Sequence, residues 1–141
     1  MRVLVDTCVV VDALQAREPF SKDAQSIFLA VANRRVDGFI TAKAATDIYY
    51  LMHRYTHSDK DSRRVLSTLF SLFEVLDTAG MDCRRAISSE IADFEDAVMA
   101  ESAVRADMDC IVTRNERDYK LSPVAIYTPS ELLRLIAPEE A

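Results

Sequence analysis

Four carboxylates in separate parts of the chain stand where acid or metal chemistry could be built. Asp6 is the first acid after the apolar run Val3-Leu4-Val5, and Thr7 adds a hydroxyl beside it. Asp47 lies three residues after Ala44 and four before Leu51, so on a helix it sits at the rim of their apolar stripe. An acid there is costly unless it meets a cation, a metal or ordered water. Asp96 belongs to Asp93-Phe94-Glu95-Asp96, which opens a helix whose Ala100 and Ala103 continue the face of Asp93 and Asp96. Such small residues let a helix approach a sheet closely. Asp118 lies in Thr113-Arg114-Asn115-Glu116-Arg117-Asp118-Tyr119, a loop with two cations, two acids and an amide.

Each acid also has an ordinary reading. Asp6 and Asp93 suit helix N-caps, where a short side-chain oxygen meets exposed amides at the positive end of a helix. Asp47 suits a partly solvated acid, and the 113–119 segment a charged surface loop. Taken together, four carboxylates from distant segments suit Mg²⁺ or Mn²⁺, hard ions whose octahedral shells are completed by water and phosphate. Two ions about 3.5 to 4 Å apart could activate a water and stabilise the leaving oxygen of a phosphodiester.

The elements that must position these acids follow from periodicity. Residues 2–5 read as a short strand buried on both faces. Residues 7–15 suit a short helix, weakened by three successive valines. A stronger helix spans 20–35, with Ser21 as cap and Asp37-Gly38 as stop. Phe39 and Ile40 give a strand, and 43–54 a helix with the stripe Ala44, Ile48, Leu51 and Tyr55. A helix over 59–73, a strand over 74–76 and helices over 81–90 and 94–107 follow. Strands at 111–112 and 124–127 precede a last helix from Pro129 to about Ile136. Alternating strands and helices predict an α/β fold, a three-layer α/β/α sandwich with a short parallel sheet. In such sheets ligands gather at the carboxyl ends of strands, where Asp6 and Thr113 both fall.

At 141 residues and 50% hydrophobic, one domain over 1–141 is expected, with a core large enough to fold without staples. Two glycines and four prolines favour many helices joined by short turns. The three cysteines, Cys8, Cys83 and Cys110, are widely spaced and odd in number, which suits reduced core thiols and a cytoplasmic location. The opening MRVLVD is too short an apolar segment for a signal peptide, and no run approaches about 18 apolar residues, so no membrane span is expected. The net charge of -6 (17 basic, 23 acidic residues) does not suit a protein that grips nucleic acid by bulk charge. A divalent ion among the acids would reverse the field an approaching phosphate meets.

LVDTCVVVDAL, the acid at Asp47, DFEDAVMAESA, and IVTRNERDY followed by an apolar strand and PSELL together resemble the PIN-domain family. The resemblance extends over essentially the whole chain. It implies an α/β/α sandwich and, in many bacterial members, a VapC-type ribonuclease toxin neutralised by a small antitoxin protein. It also implies an RNA substrate, a metal-activated water and a 5′-phosphate product; a homodimer stays open. By the resemblance Asp6 and Asp96 are the central metal-binding acids, and Asp47 falls where the family usually carries glutamate. Asn115 stands where many members have an acid, so Asp118 is assigned as the fourth. Thr113 orients Asp6, Arg114 meets phosphate, and Thr7 and Asp93 support the site.

His53 and His57 have a metal-ligand spacing but no glutamate between them, and read as surface histidines. The pairs Arg34-Arg35, Arg63-Arg64 and Arg84-Arg85 read as solvated helix ends. Two rival functions remain. A catalytically silent PIN-like module binding RNA or a partner protein fits Asn115, Asp47 and the acidic charge. A receiver-like phosphoacceptor domain fits a strand-end aspartate but lacks a lysine after a late strand.

Overall fold

A computed structural model describes residues 1–137. Among the described residues five strands form one sheet: β1 (Arg2–Val5), β2 (Asp37–Thr41), β3 (Glu74–Leu76), β4 (Cys110–Val112) and β5 (Ala125–Tyr127). All neighbours are parallel in the order β3-β2-β1-β4-β5, with Val3 opposite both Gly38 and Cys110. Seven helices among the described residues cover it: α1 (Thr7–Leu14), α2 (Ser21–Ala32), α3 (Ala42–Thr56), α4 (Asp59–Leu72), α5 (Gly80–Ala86), α6 (Phe94–Arg105) and α7 (Pro129–Ile136). The α/β/α sandwich expected from the sequence is the fold.

Strand alternation divides the core in two. Val3, Val5, Ile40, Cys110 and Val112 pack against α1, α2, α3, α4 and α7, whereas Leu4, Phe39 and Ile111 face α5 and α6. On the second face Ala97, Ala100 and Ala103, each at most 1% exposed, bring α6 close to the sheet. On the first face Gly38 serves the same end. A Cβ there would stand 2.7 Å from Val31 and 2.8 Å from Phe73.

Several local expectations are corrected. Asp37-Gly38 does not stop α2 but opens β2; the chain leaves α2 through Asn33 and Arg34, whose φ is 57°. Ser21 is the first helical residue rather than the cap, and its hydroxyl donates to Glu18 Oε1 at 2.8 Å. In α3 the buried line is Ala44, Ile48 and Met52, spaced four apart, and Tyr55 is 62% exposed. Helix α5 ends at Ala86, well short of 90. A 3₁₀ turn over Glu116–Tyr119, not anticipated from periodicity, follows β4. Cys110 is buried, but Cys83 is exposed rather than a core thiol.

Candidate active site

Strands β1 and β4 are neighbours, yet the chain runs outward from β1 to β2 and, on the other side, from β4 to β5. Their carboxyl ends therefore border the crevice where a doubly wound sheet changes direction. Asp6 leaves β1 there, its amide donating to Val112 O at 3.0 Å. Its Oδ1 accepts from the Thr7 amide at 2.8 Å, so the N-cap of α1 and the site acid are the same residue. Its Oδ2 accepts from Thr113 Oγ1 at 2.8 Å and from the Tyr119 hydroxyl at 3.4 Å.

Asp96 reaches the same hydroxyl from α6. Tyr119 donates to Asp96 Oδ1 at 3.0 Å, while the Asp96 amide donates to the N-cap Asp93 at 3.0 Å. A hydroxyl has one proton, so two carboxylates share a single donor. Burial raises the Asp6 carboxyl above its ordinary range, against the hydrogen bonds from Thr113 and the Thr7 amide. Burial also pushes Asp96 up to about 6; the Tyr119 hydrogen bond opposes this and the charges of Asp6, Asp93 and Asp118 add to it. Tyr119 itself, 1% exposed, is raised by burial and by the two acids it serves. Two carboxylates short of positive charge are a donor set of the kind that suits Mg²⁺ or Mn²⁺, which bind one or two carboxylates and keep the rest of the shell for water and phosphate.

The other sequence-derived residues lie around this pair. Asp47 lines the same cavity of about 690 Å³, together with Asp6, Thr7 and Asp96. Its Oδ2 accepts from Lys43 Nζ at 2.6 Å, so the costly acid on α3 has met a cation of its own helix. Asp118 is exposed on the 3₁₀ turn, its amide donating to Asn115 O at 3.0 Å, and it acts on Asp96 through its charge. Asn115 is exposed, with its amide donating to Thr113 Oγ1 at 3.1 Å. Among the described residues no three His, Cys, Asp or Glu side chains are gathered closely enough to hold an ion. The arrangement is thus a two-acid centre with flanking acids. His53 is exposed and stacks on Tyr49.

The PIN domain family matches residues 2–117. The chain belongs to this family. No curated protein matches it significantly in sequence. Solved structures share the fold of this PIN domain. The structure of VapBC2 from Rickettsia felis bound to a promoter DNA fragment has a chain 15% identical with a TM-score of 0.68, covering 91% of this chain and 98% of that one. A toxin-antitoxin complex from Klebsiella pneumoniae gives 20% identity and a TM-score of 0.67, with 90% and 97% covered. DNA-bound VapBC from Salmonella typhimurium gives 16% and 0.65, with 92% and 98% covered.

In this PIN domain Arg114 is held beside the cavity rather than in it. Its Nε donates to Asp12 Oδ2 at 2.7 Å, and its guanidinium lies 4.5 Å from the Phe20 ring centre. Asp12 is 1% exposed. The only sequence signal for this pair is an acid within the apolar helix TCVVVDAL, with no hint of a partner 102 residues away. Asp82 is a second buried acid that sequence reasoning missed. It accepts from Arg105 Nε at 2.9 Å, Ser102 Oγ at 2.8 Å and the Ala79 amide at 2.9 Å. These fix α5 against α6 behind the site.

Proposed function

We propose that this PIN domain is a divalent-cation-dependent endoribonuclease and the toxin of a toxin-antitoxin pair. The carrying observation is the shared Tyr119 hydroxyl, which holds Asp6 and Asp96 toward one place at the crevice of the sheet. PIN domains are nucleases, and solved structures with this fold include toxin-antitoxin complexes. Asp6 and Asp96 are the residues that would hold Mg²⁺ or Mn²⁺. The bound ion supplies a Lewis acid for the phosphodiester and a water that is more acidic than in bulk.

The protein's own groups account for the rest. Thr113 and the Thr7 amide fix both oxygens of Asp6, leaving little rotamer freedom. Asp93 caps α6 and so sets the rotation at which Asp96 enters the cavity. Such outer partners of ligating carboxylates orient them and tune their basicity. Asp47, held by Lys43, and Asp118 add negative charge at the rim. Arg114 acts on substrate only indirectly, by anchoring the Thr113 segment on α1. The cavity's exposed aromatic residues, Tyr50 and Phe94, offer faces to unpaired bases.

Cleavage of an RNA panel in Mg²⁺ or Mn²⁺ by wild type and Asp6→Asn tests this reading. Wild type should cleave to 5′-phosphate ends and the variant should lose about 100-fold or more. Equal rates would remove Asp6 from catalysis. The rival reading, a silent RNA- or protein-binding module, gains from the engagement of Asp47 by Lys43. It predicts no cleavage by wild type at any metal concentration.

A further inference from the structure

Lys43 lies in the first turn of α3, and its ammonium touches both walls of the cavity. Nζ is 2.6 Å from Asp47 Oδ2, one turn along the same helix, and 3.4 Å from Glu95 Oε1 on α6. Asp6, Asp47, Glu95 and Asp96 are the acids lining this cavity, and Lys43 is its only cation among the described residues. The acids are therefore divided. Asp6 and Asp96 share Tyr119, whereas Asp47 and Glu95 share Lys43. The contact to Glu95 joins α3 to α6 and is not needed for the exposed i,i+4 pair that Lys43 makes within its own helix.

Resting on the reading of Asp6 and Asp96 as metal ligands, we infer that Lys43 holds the centre to one divalent ion. Its ammonium already engages Asp47 and Glu95, the remaining acids of the cavity on which a second ion would draw. In nucleases with two ions the second stabilises charge on the leaving oxygen of the phosphodiester. Here a compact ammonium with three donors does this. Two donors go to Asp47 and Glu95, and the third is left for a phosphate oxygen. A second divalent ion must both displace the ammonium from its acids and sit near a like charge. Lys43, Asp47 and Glu95 side chains are 43%, 37% and 72% exposed, so the exclusion is competitive: it weakens the second ion without forbidding it.

Titration of Mn²⁺ into the full chain, followed by electron paramagnetic resonance of the free ion, tests this in wild type, Lys43→Met, Lys43→Arg and Lys43→Met/Asp47→Asn. Thermal melts confirm that each is folded. Wild type should bind one ion in the range where the centre fills. Lys43→Met should gain a second ion about tenfold tighter than in wild type, equivalent to roughly 1.4 kcal/mol. Lys43→Arg should match wild type, and the double variant should lose the gain. Two comparable ions in wild type, or identical isotherms for wild type and Lys43→Met, would overturn the role of Lys43. If RNA cleavage persists in that case, the two-acid centre stands. No Mn²⁺ binding by any variant would overturn the metal centre itself, and the inference with it.

Discussion

Replacing Tyr119 by Phe removes one hydroxyl from a ring that is 1% exposed, so packing is kept while Asp6 and Asp96 lose their common donor. Hydrogen bonds to charged groups contribute about 1.5 to 3 kcal/mol, and neutral ones about 0.5 to 1.5. The metal-free variant at pH 8, where Asp96 is ionised, should therefore lose about 1.5 to 3 kcal/mol. For a domain of this size that is a fall in Tm of roughly 5 to 10 °C. The pH dependence has a definite sign. Asp96 titrates at about 6 in the folded chain against 3.8 for the free side chain. Its ionisation therefore costs stability that is intact below about pH 4 and is lost as pH rises through 6. Removing a hydrogen bond that favours the charged form raises this acid further, so the loss caused by Tyr119→Phe should be larger at pH 8 than at pH 4.5. Urea denaturation in the presence of a chelator, at both pH values, measures the difference. A loss below about 0.5 kcal/mol at pH 8, or the same loss at both, would refute the claim that Tyr119 serves two charged acids.

Two further substitutions probe the frame around the site. Arg114→Ala leaves Asp12, 1% exposed, with its charge unpaired, and should cost about 3 to 5 kcal/mol in urea denaturation. Asp12→Leu combined with Arg114→Met should recover most of it; failure to recover would mean the guanidinium does more than neutralise Asp12. Gly38→Ala places a methyl group 2.7 Å from Val31 and 2.8 Å from Phe73, and should destabilise by about 1 to 3 kcal/mol through overpacking. An unchanged melting temperature would show that α2 and the end of α4 can yield there.

Much of the frame was legible because burial leaves a local trace. RVLV reads as a strand since a central parallel strand is apolar on both faces. Three valines weaken the intrinsic case for α1, yet Val9, Val10 and Val11 are each 0% exposed, and their packing outweighs propensity. Asp6 and Asp96 were legible because each stands at an element boundary, one after a strand and one in a first helical turn. What escaped was set by contacts between distant segments. Arg34, rather than a glycine or the neighbouring Asn33, takes the left-handed conformation that ends α2. Gly38 resembled a stop signal because a glycine needed for close approach and one needed for a turn are the same letter. Tyr119 sits in a 3₁₀ turn with no periodicity to mark its burial, and the partners of Asp12 and Asp82 lie 102 and 23 residues away.

The acidic balance of the chain and the proposed RNA substrate are reconciled at this cavity rather than over the surface as a whole. Four acids and one lysine line it, so the empty charge is -3 when all are ionised, four negative against one positive. A phosphodiester approaching that set is repelled, whereas one divalent ion beside Asp6 and Asp96 reduces it to -1 and places positive charge where phosphate must come. On the proposed reading, substrate binding would be tied to metal binding instead of to bulk charge, which at -6 would oppose it. The same logic explains why the Tyr119 hydroxyl and the Lys43 ammonium both face carboxylates in the cavity. Each satisfies part of the acidic set, and neither brings a positive charge to Asp6 and Asp96 themselves.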